Sequence, residues 1–265
     1  MRLTKLKYGM AACFIAASVM VGGAVTSAKA AIIDLGFAVD GSGSIGSSNF
    51  NTVKAALANA LGVIPLAGQN TYRVSVVQFG SSVSNVFTTV INTASDLTSL
   101  QSAVATMSYM SGGSTCISCA TTALTSNINS LGGFGDLSLM NIMTDGAPNV
   151  GITNGTTLQG TLTTAGWDSI SAEAVGSFNL SFLQALVSPN PGVTTADPNA
   201  LPNPLTSGFV LTVANFDAYE AAITAKIQKI VDTTTPIPVP AALPLLLSGI
   251  GAMGFAGWRN RRKTA

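Results

Sequence analysis

Apolar runs and amphipathic stretches alternate along the middle of the chain. Short runs at 32–39 and 137–144 are almost wholly apolar, which is typical of strands that are buried on both faces. Longer stretches at 47–61 and 216–231 place apolar residues on one face at helical spacing. Because strands and helices alternate, the pattern predicts an α/β fold: a mostly parallel sheet with helices on both faces.

The same pattern predicts the remaining elements. Strands are expected at 73–79, 83–91, 169–175 and 208–213, and alternating apolar and polar residues indicate that 83–91 is an antiparallel edge strand. Helices are expected at 94–107, 115–131 and 156–165. The segment 188–207 is rich in Pro, Asn and Thr, and we interpret it as a long loop.

Both ends of the chain have the pattern of targeting segments. Residues 1–30 combine a basic start, an apolar stretch and Ala28-Lys29-Ala30, which is typical of a signal peptide cleaved before Ala31. The globular domain is then predicted at 31–232, followed by a proline-rich linker at 233–240. The uncharged residues 241–258 are long enough to cross a membrane, and basic residues follow them within 241–265. An uncleaved N-terminal anchor and a plain C-terminal anchor are the alternatives.

Composition and charge exclude several classes of function. The chain has no histidine, so Ser-His-Asp catalysis, Cys-His catalysis and histidine-based zinc sites are impossible. Residues 34–232 contain four basic and eleven acidic residues, a net charge of −7, so we do not expect nucleic-acid binding. Most of a group of four acidic residues are interpreted as solvent-exposed: Asp96, Asp168, Glu173 and Glu220.

Cys116 and Cys119 are the two cysteines that lie outside the signal peptide. In an oxidising compartment, a local disulfide between them is the favoured interpretation. Two free thiols, a redox-active pair and a zinc site follow as alternatives. The zinc site is the weakest of these, because two further ligands would have to be found without histidine.

Side-chain oxygens are concentrated in the loop after the first predicted strand. Asp40, Ser42 and Ser44 alternate with Gly41 and Gly43, which allow a tight turn in which three oxygens converge. Ligands of open α/β sheets collect at the carboxyl ends of strands. One carboxylate with hydroxyls suits Mg²⁺, Mn²⁺ or Ca²⁺, so the sequence predicts a divalent-cation site in this loop.

Two further segments place oxygen-bearing groups where they could join this site. Asp145 follows the apolar run at 137–144, and Gly112-Gly113-Ser114-Thr115 is a flexible turn with hydroxyls just before a predicted helix. If all three segments lie at one edge of the sheet, they supply two carboxylates and several hydroxyls.

The loop after the first strand also permits two other interpretations. Gly41-x-Gly43-x-x-Gly46 satisfies a dinucleotide-binding fingerprint, but the next acidic residue after Asp40 is Asp96. A ribose-binding acid is expected about 20 residues on, and Asp40 itself would repel a pyrophosphate. The other interpretation is a plain Gly/Ser loop in which Asp40 caps the following helix.

The three motifs resemble those of the von Willebrand factor type A domain. Asp-x-Ser-x-Ser at 40–44, the Gly-Gly-Ser-Thr turn at 112–115 and Thr-Asp-Gly at 144–146 follow the order of that family. The resemblance covers about residues 31–232 and implies a Rossmann-like, doubly wound fold. It also implies a metal-ion-dependent adhesion site with one divalent cation, Mg²⁺ first. It assigns coordination to Ser42, Ser44 and Thr115, with Asp40 and Asp145 holding metal-bound waters or binding directly.

The sequence departs from this family after the Gly-Gly turn. Members usually have Thr-Asn-Thr-Gly there, whereas this chain has Ser-Thr-Cys-Ile-Ser at 114–118. Alignment of Ala120 with the family's alanine selects Thr115 as the ligand, and Ser114 remains an alternative. A bridge between Cys116 and Cys119 would stiffen this turn.

The C-terminal segment resembles the PEP-CTERM sorting signal, in particular its Val-Pro-Leu-Pro-Ala variant. The order is a proline-rich start with Val239-Pro240, a Gly-rich apolar span and an Arg cluster, all within 236–265. The resemblance implies a Gram-negative bacterium and recognition by an exosortase-type processing enzyme. It also implies an intermediate anchored in the inner membrane through 241–258, then delivery to the outer surface or the extracellular matrix.

Together, the two resemblances lead us to expect an exported, non-enzymatic binding or adhesion protein. Its partner would be a protein or polysaccharide with an accessible carboxylate, engaged through the bound cation. Two alternatives remain: a structural matrix protein whose ion only stabilises the fold, and a metal-dependent hydrolase. The hydrolase is disfavoured because histidine is absent and no paired general acid and base is evident.

Overall fold

Seven strands and six α-helices make up the part of the chain that the computed structural model describes, residues 30–66, 68 and 70–234. The strands are β1 (Ile32–Asp40), β2 (Thr71–Phe79), β3 (Val83–Ile91), β4 (Leu137–Thr144), β5 (Ser169–Val175), β6 (Thr194–Thr195) and β7 (Val210–Val213). The helices are α1 (Ser47–Ala60), α2 (Ala94–Ala105), α3 (Ile117–Ser130), α4 (Gly155–Ala165), α5 (Leu180–Leu186) and α6 (Tyr219–Thr234). Short 3₁₀ turns lie at Leu61–Val63 and Phe216–Ala218.

All seven strands form one sheet in the order β3-β2-β1-β4-β5-β7-β6. Every neighbouring pair is parallel except β2 and β3, which are antiparallel, so β3 is the predicted antiparallel edge strand. The predicted fold class is therefore confirmed. The chain runs outward in opposite directions from β1 and β4, and the gap between their carboxyl ends is where such folds bind ligands.

Two hydrophobic cores cover the two faces of the sheet. One core contains Phe50, Val53 and Leu57, whose spacing puts them on one side of α1, together with apolar residues of α2 and α6. The other is built from α3, α4 and α5. Residues Ala28–Pro236 form a compact unit of their own. Because this unit contains both cores, we expect it to fold independently.

Two ion pairs are buried in this unit. The Arg73 Nε lies 2.6 Å from an Asp34 carboxylate oxygen, and Lys226 donates a hydrogen bond to Glu173. The exposed position predicted for Glu173 is wrong, because only 1% of its side chain is exposed. Glu173 lies on β5, which is buried on both faces, so its charge is compensated by α6 and not by water. Asp168 and Glu220 are exposed, as predicted.

The predicted elements differ from the structure in some of their bounds and in two short elements; the last helix, predicted at 216–231, is α6 at Tyr219–Thr234. Helix α3 begins at Ile117 and not at Thr115, so Thr115 stays in the preceding turn. The segment predicted as the loop 188–207 contains the short strand β6, and α5 precedes it. Both elements are short, and periodicity cannot detect a helix of seven residues or a strand of two.

The predicted targeting segments lie almost entirely outside the described residues. The signal peptide at 1–30 and the linker and tail at 233–265 overlap them only at residues 30, 233 and 234. Within the described part of the chain, no helix is both long and apolar enough to span a membrane. The boundaries of these segments therefore remain sequence predictions.

Candidate metal centre

Asp40 is the last residue of β1, and its carboxylate is fully buried. One carboxylate oxygen accepts a hydrogen bond from the Ser42 amide at 2.8 Å, and the other accepts one from the Thr144 hydroxyl at 2.6 Å. Burial raises the pKa of Asp40 above its usual value, and the nearby charge of Asp145 raises it slightly further. The backbone passes so close to Gln78 that a Cβ at Gly41 would collide with that side chain.

A chain of hydrogen bonds links the β1 loop to the end of β4. The hydroxyls of Ser42 and Ser44 are 3.1 Å apart, and the Ser44 hydroxyl donates to an Asp145 carboxylate oxygen at 2.7 Å. Asp145 directly follows β4, the parallel neighbour of β1. Its pKa is also raised, chiefly by burial. Three of the predicted ligands therefore meet where two strand ends adjoin.

Thr115 reaches the same place from a third segment. A Cβ placed on Gly146, the glycine of Thr-Asp-Gly, would be in ordinary contact with two hydroxyls, 3.7 Å from that of Thr115 and 3.8 Å from that of Ser44. The two hydroxyls therefore flank Gly146. Ser114 is half-buried, and its amide donates to the Ser81 hydroxyl at 3.3 Å. Of the two alternatives, Thr115 lines the cleft above the strand ends and Ser114 does not.

Asn149 holds the Thr115 turn in place from the loop after β4. Its side-chain oxygen accepts a hydrogen bond from the backbone amide of Thr115 at 2.8 Å. The backbone amide of Asn149 donates to the Thr115 carbonyl at 3.1 Å. The Asn149 side chain also donates to the Gly113 carbonyl at 3.3 Å. The position of Thr115 is thus determined by a residue 34 positions away in the sequence.

The cysteines next to Thr115 form a disulfide. Cys116 and Cys119 are bonded, and their Cα atoms are 5.3 Å apart. Cys116 is the N-cap residue of α3 and has no side-chain capping hydrogen bond, so the disulfide closes the first helical turn covalently. Cys116 is buried, whereas Cys119 is exposed to solvent.

These residues surround an open cleft of about 550 Å³ above the strand ends. It is lined by Ser42, Gly43, Ser44, Gly113, Thr115, Asp145, Gly146, Ala147, Asn149, Gly176, Ser177 and Phe216. No basic residue is among them. The loops after β1, β4, β5 and β7 and the turn before α3 all contribute to its walls.

The donor set fits a hard divalent cation. Three hydroxyls and two carboxylates converge from three segments, and oxygen ligands of this kind suit Mg²⁺, Mn²⁺ or Ca²⁺. Within the described residues, no group of three or more His, Cys, Asp or Glu is placed to hold a metal. The raised pKa values of Asp40 and Asp145 reflect buried negative charge that a cation would compensate.

Several residues of the cleft were not predicted from the sequence. Thr144 precedes Asp145 and could have been suspected, because a hydroxyl at a strand end next to a ligand often supports it. Asn149 and Ser177 lie in ordinary loops, and Phe216 begins the 3₁₀ turn before α6, at the start of the stretch predicted as a helix; nothing in their sequence context places them in the cleft.

Comparison with known protein families gives two matches. The model of the von Willebrand factor type A domain matches residues 34–222, and that of the PEP-CTERM protein-sorting motif matches 236–263. The sorting motif indicates an exported protein that is routed by way of the membrane to the cell surface. No curated protein matches the chain significantly.

Similar solved structures include proximal thread matrix protein 1 from the mussel byssus, with 20% identity over 78% of this chain and a TM-score of 0.58. A structure of that protein with a zinc-occupied MIDAS motif has 20% identity over 77% of this chain and a TM-score of 0.56. This chain spans about half the length of those chains. The conserved hypothetical protein BatB from Bacteroides thetaiotaomicron matches at 14% identity over 76% of this chain and 99% of its own, with a TM-score of 0.52.

At these identities the structural matches establish the fold alone, but the family match covers most of the chain, and residues from all three of its motifs line one cleft. The chain belongs to the von Willebrand factor type A domain family and carries a C-terminal PEP-CTERM sorting motif.

Proposed function

We propose that this protein is an exported, non-enzymatic binding protein of the cell surface or extracellular matrix. It would engage an acidic ligand through one divalent cation held by Ser42, Ser44 and Thr115. The observation that carries the proposal is that three hydroxyls and the Asp145 carboxylate, from three separate segments, line one open cleft, with the buried Asp40 carboxylate hydrogen-bonded to the Ser42 amide behind them.

The hydrogen bonds of the site explain why a bound cation would keep enough uncompensated positive charge to attract an anionic ligand. Both oxygens of Asp40 already accept hydrogen bonds, and one oxygen of Asp145 accepts one from Ser44. The hydroxyl donors are neutral, so the protein compensates the positive charge only in part. When bound, the cation supplies a positive charge to which a ligand carboxylate is attracted. The cleft above it is open to solvent.

The donor atoms restrict the class of cation that the site would hold. The mussel protein with a zinc-occupied MIDAS motif supports a divalent ion at this position of the fold. Zinc sites generally use nitrogen or sulfur ligands, whereas hydroxyls and carboxylates favour hard cations. We therefore propose Mg²⁺ as the resident ion, with Mn²⁺ and Ca²⁺ as the alternatives.

Calorimetric titration of residues 31–235 with Mg²⁺ and Mn²⁺ tests the metal site. We expect one ion per molecule, with binding at least about tenfold weaker in Ser44→Ala, because one ligand is lost. Ser47→Ala is the matched control, since Ser47 is an exposed serine three residues further along and has no place in the cleft. Absence of binding at millimolar metal, or equal loss in both variants, would contradict the proposal.

A second experiment separates adhesion from a purely structural ion. If the ion serves ligand binding, Asp145→Ala should abolish metal-dependent attachment to carboxylate-bearing surfaces and leave the melting temperature in metal-free buffer nearly unchanged. Asp145 lines the cleft and is not in either hydrophobic core. A large fall in melting temperature with no metal-dependent attachment by the unsubstituted protein would favour the structural role.

A further inference from the structure

The cleft extends well beyond the candidate metal ligands. Its metal end lies over β1 and β4, whereas Ser177 follows β5 and Phe216 follows β7. In the sheet order, β5 and β7 are the next two strands after β4. Neighbouring strands are about 4.8 Å apart, so the end of β7 lies about 12 Å from the point midway between the ends of β1 and β4. Phe216 follows the end of β7 by three residues. A ligand that contacts both ends must be elongated.

The walls between these two ends are neutral and mostly backbone. They contain Gly146, Ala147 and Gly176, with Asn149 and Ser177 as the polar side chains. Because glycine carries no side chain, its backbone amide and carbonyl groups are accessible to a ligand. The residues that line the cleft include no lysine or arginine, so a second acidic group would find no counter-charge there.

Phe216 differs from the rest of the lining because it is its one large apolar side chain. It is the first residue of the 3₁₀ turn that leads into α6, and the Asn215 side chain caps this turn by accepting a hydrogen bond from the Ala218 amide at 3.0 Å. The ring is half-buried and packs partly against the core, which holds it in place while part of it lines the cleft. It is therefore a fixed apolar surface at the far end of a polar cleft.

We infer that the ligand of this cleft is a carboxylated carbohydrate at least two sugar units long. The inference rests on the proposed function, since the carboxylate of one unit would occupy the metal end. The apolar C–H face of a neighbouring ring would pack on Phe216, and its hydroxyls would bond to Asn149, Ser177 and the exposed backbone groups. A sugar ring combines an apolar face with a hydroxyl-rich rim, which matches an aromatic platform among neutral polar groups.

An acidic protein segment suits this cleft less well. A bound peptide gains specificity from pockets that take its alternate side chains. Here the lining consists mainly of glycine, alanine and serine, and Phe216 is the one apolar side chain large enough to bury a partner's side chain. We therefore name Phe216 as a residue that determines specificity and not as a metal ligand.

The test titrates the Mg²⁺-loaded protein, residues 31–235, with galacturonate and with linear oligomers in which one galacturonate unit is linked to one or more neutral sugars, because the cleft offers no counter-charge for a second carboxylate. The same oligomers with their carboxylates reduced to alcohols, and an aspartate-containing hexapeptide, are the comparison ligands. We expect the dimer and longer oligomers to bind more tightly than the monomer, with no binding of the reduced oligomers. Phe216→Leu should weaken oligomer binding about tenfold, because the aromatic face is lost, while Phe216→Tyr retains it.

The outcomes separate this inference from the proposed function. Tighter binding of the peptide than of every uronate oligomer, or equal affinities in Phe216→Leu and Phe216→Tyr, would overturn the carbohydrate inference and leave the metal site standing. Failure of the unsubstituted protein to bind Mg²⁺ would overturn both. A metal titration of each variant shows whether it is folded before its ligand binding is compared.

Discussion

Thr144 supports the candidate metal centre without belonging to the ligand set. Its hydroxyl donates to the buried Asp40 carboxylate at 2.6 Å and accepts a hydrogen bond from the Gly146 amide at 3.1 Å. It therefore connects the ends of β1 and β4 at the point where the ligands converge. A substitution that keeps its shape and removes its hydroxyl isolates this contribution.

We expect Thr144→Val to lower the free energy of unfolding by about 1.5–3 kcal/mol, because a hydrogen bond to a buried carboxylate is lost. Metal affinity should fall in parallel, since the orientation of Asp40 is no longer determined. Urea unfolding and calorimetric metal titration would measure the two effects. Thr144→Ser retains the hydroxyl and should behave nearly as the unsubstituted protein; equal losses in both variants would exclude the hydrogen bond as the cause.

Glu173 and Lys226 form a buried ion pair between β5 and α6. Each side chain is 1% exposed, and the Lys226 ammonium lies 5.3 Å from the centre of the Phe209 ring. Burial raises the pKa of Glu173, and the charge of Lys226 lowers it. For Lys226, burial lowers the pKa and the charge of Glu173 raises it. Removal of Lys226 would therefore leave Glu173 with a higher pKa and an uncompensated charge.

Lys226→Met should cost about 3–5 kcal/mol of stability at neutral pH, as expected when one member of a buried pair is removed. A carboxyl group whose pKa is raised by folding stabilises the folded state below its ordinary pKa of 4.5, and this contribution is lost as the pH rises through the folded-state pKa. The deficit of Lys226→Met should therefore be smallest at or below about pH 4.5 and grow as the pH rises.

Urea unfolding at several pH values checks this prediction. Lys229→Met, on the same helix but half-buried and outside the ion pair, is the matched control and should show little effect. The double variant Glu173→Gln/Lys226→Met should lose the pH dependence, because the titrating group is gone. A deficit that does not change with pH would mean that lost packing, and not the charge of Glu173, explains the destabilisation.

At the scale of elements, the site depends on how α3 begins. Thr115 directly precedes the Cys116–Cys119 disulfide, and its turn is held on the other side by Asn149. The disulfide stands next to the loop after β4, since the Cys116 sulfur is 3.7 Å from the Ser118 hydroxyl, which accepts a hydrogen bond from Ile152. The first turn of α3 and the loop after β4 are thus joined by a hydrogen bond close to Thr115, a candidate metal ligand.

The double variant Cys116→Ala/Cys119→Ala should lower stability by about 2 kcal/mol, the value expected for closing so short a loop. We also expect metal affinity to fall severalfold, because Thr115 becomes less well ordered. Calorimetry with and without reductant measures the second effect, and reductant should not alter the double variant. Loss of stability with unchanged metal affinity would mean that the disulfide serves α3 alone.

At the scale of the whole molecule, the targeting segments specify where the cleft operates. We predict that the mature chain begins at Ala31 and that the tail after the proline-rich linker is removed, as the PEP-CTERM match leads us to expect. N-terminal sequencing and intact mass of protein recovered from the cell exterior would test both points. A protein that stays in the membrane fraction with its C-terminus at Ala265 would favour a plain anchor.

A large part of this organisation follows from local sequence. Strands and helices were predicted because their periodicities are local, and Asp40, Ser42 and Ser44 were recognised because they lie within five residues. Asp145 and Thr115 were assigned through the order of the family motifs, so their convergence was an expectation. The sorting motif was recognised in the same way, as a linear pattern of proline, apolar and basic residues.

Other features depend on contacts between segments that are distant in the chain. Asn149 accepts a hydrogen bond from Thr115, which lies 34 residues earlier in the chain, and Glu173 pairs with Lys226, which lies 53 residues later. Such pairings are set by the packing of α6 and the β4 loop against the sheet, which no local pattern encodes. The sequence by itself therefore determined the α/β pattern of the main elements, the cluster of candidate oxygen ligands after β1 and the sorting motif, because each of these is a local pattern. The tertiary structure placed Thr115 in the lining of the cleft and Ser114 outside it, buried Glu173 against α6 and brought Phe216 to the cleft, because each of these depends on contacts between distant segments.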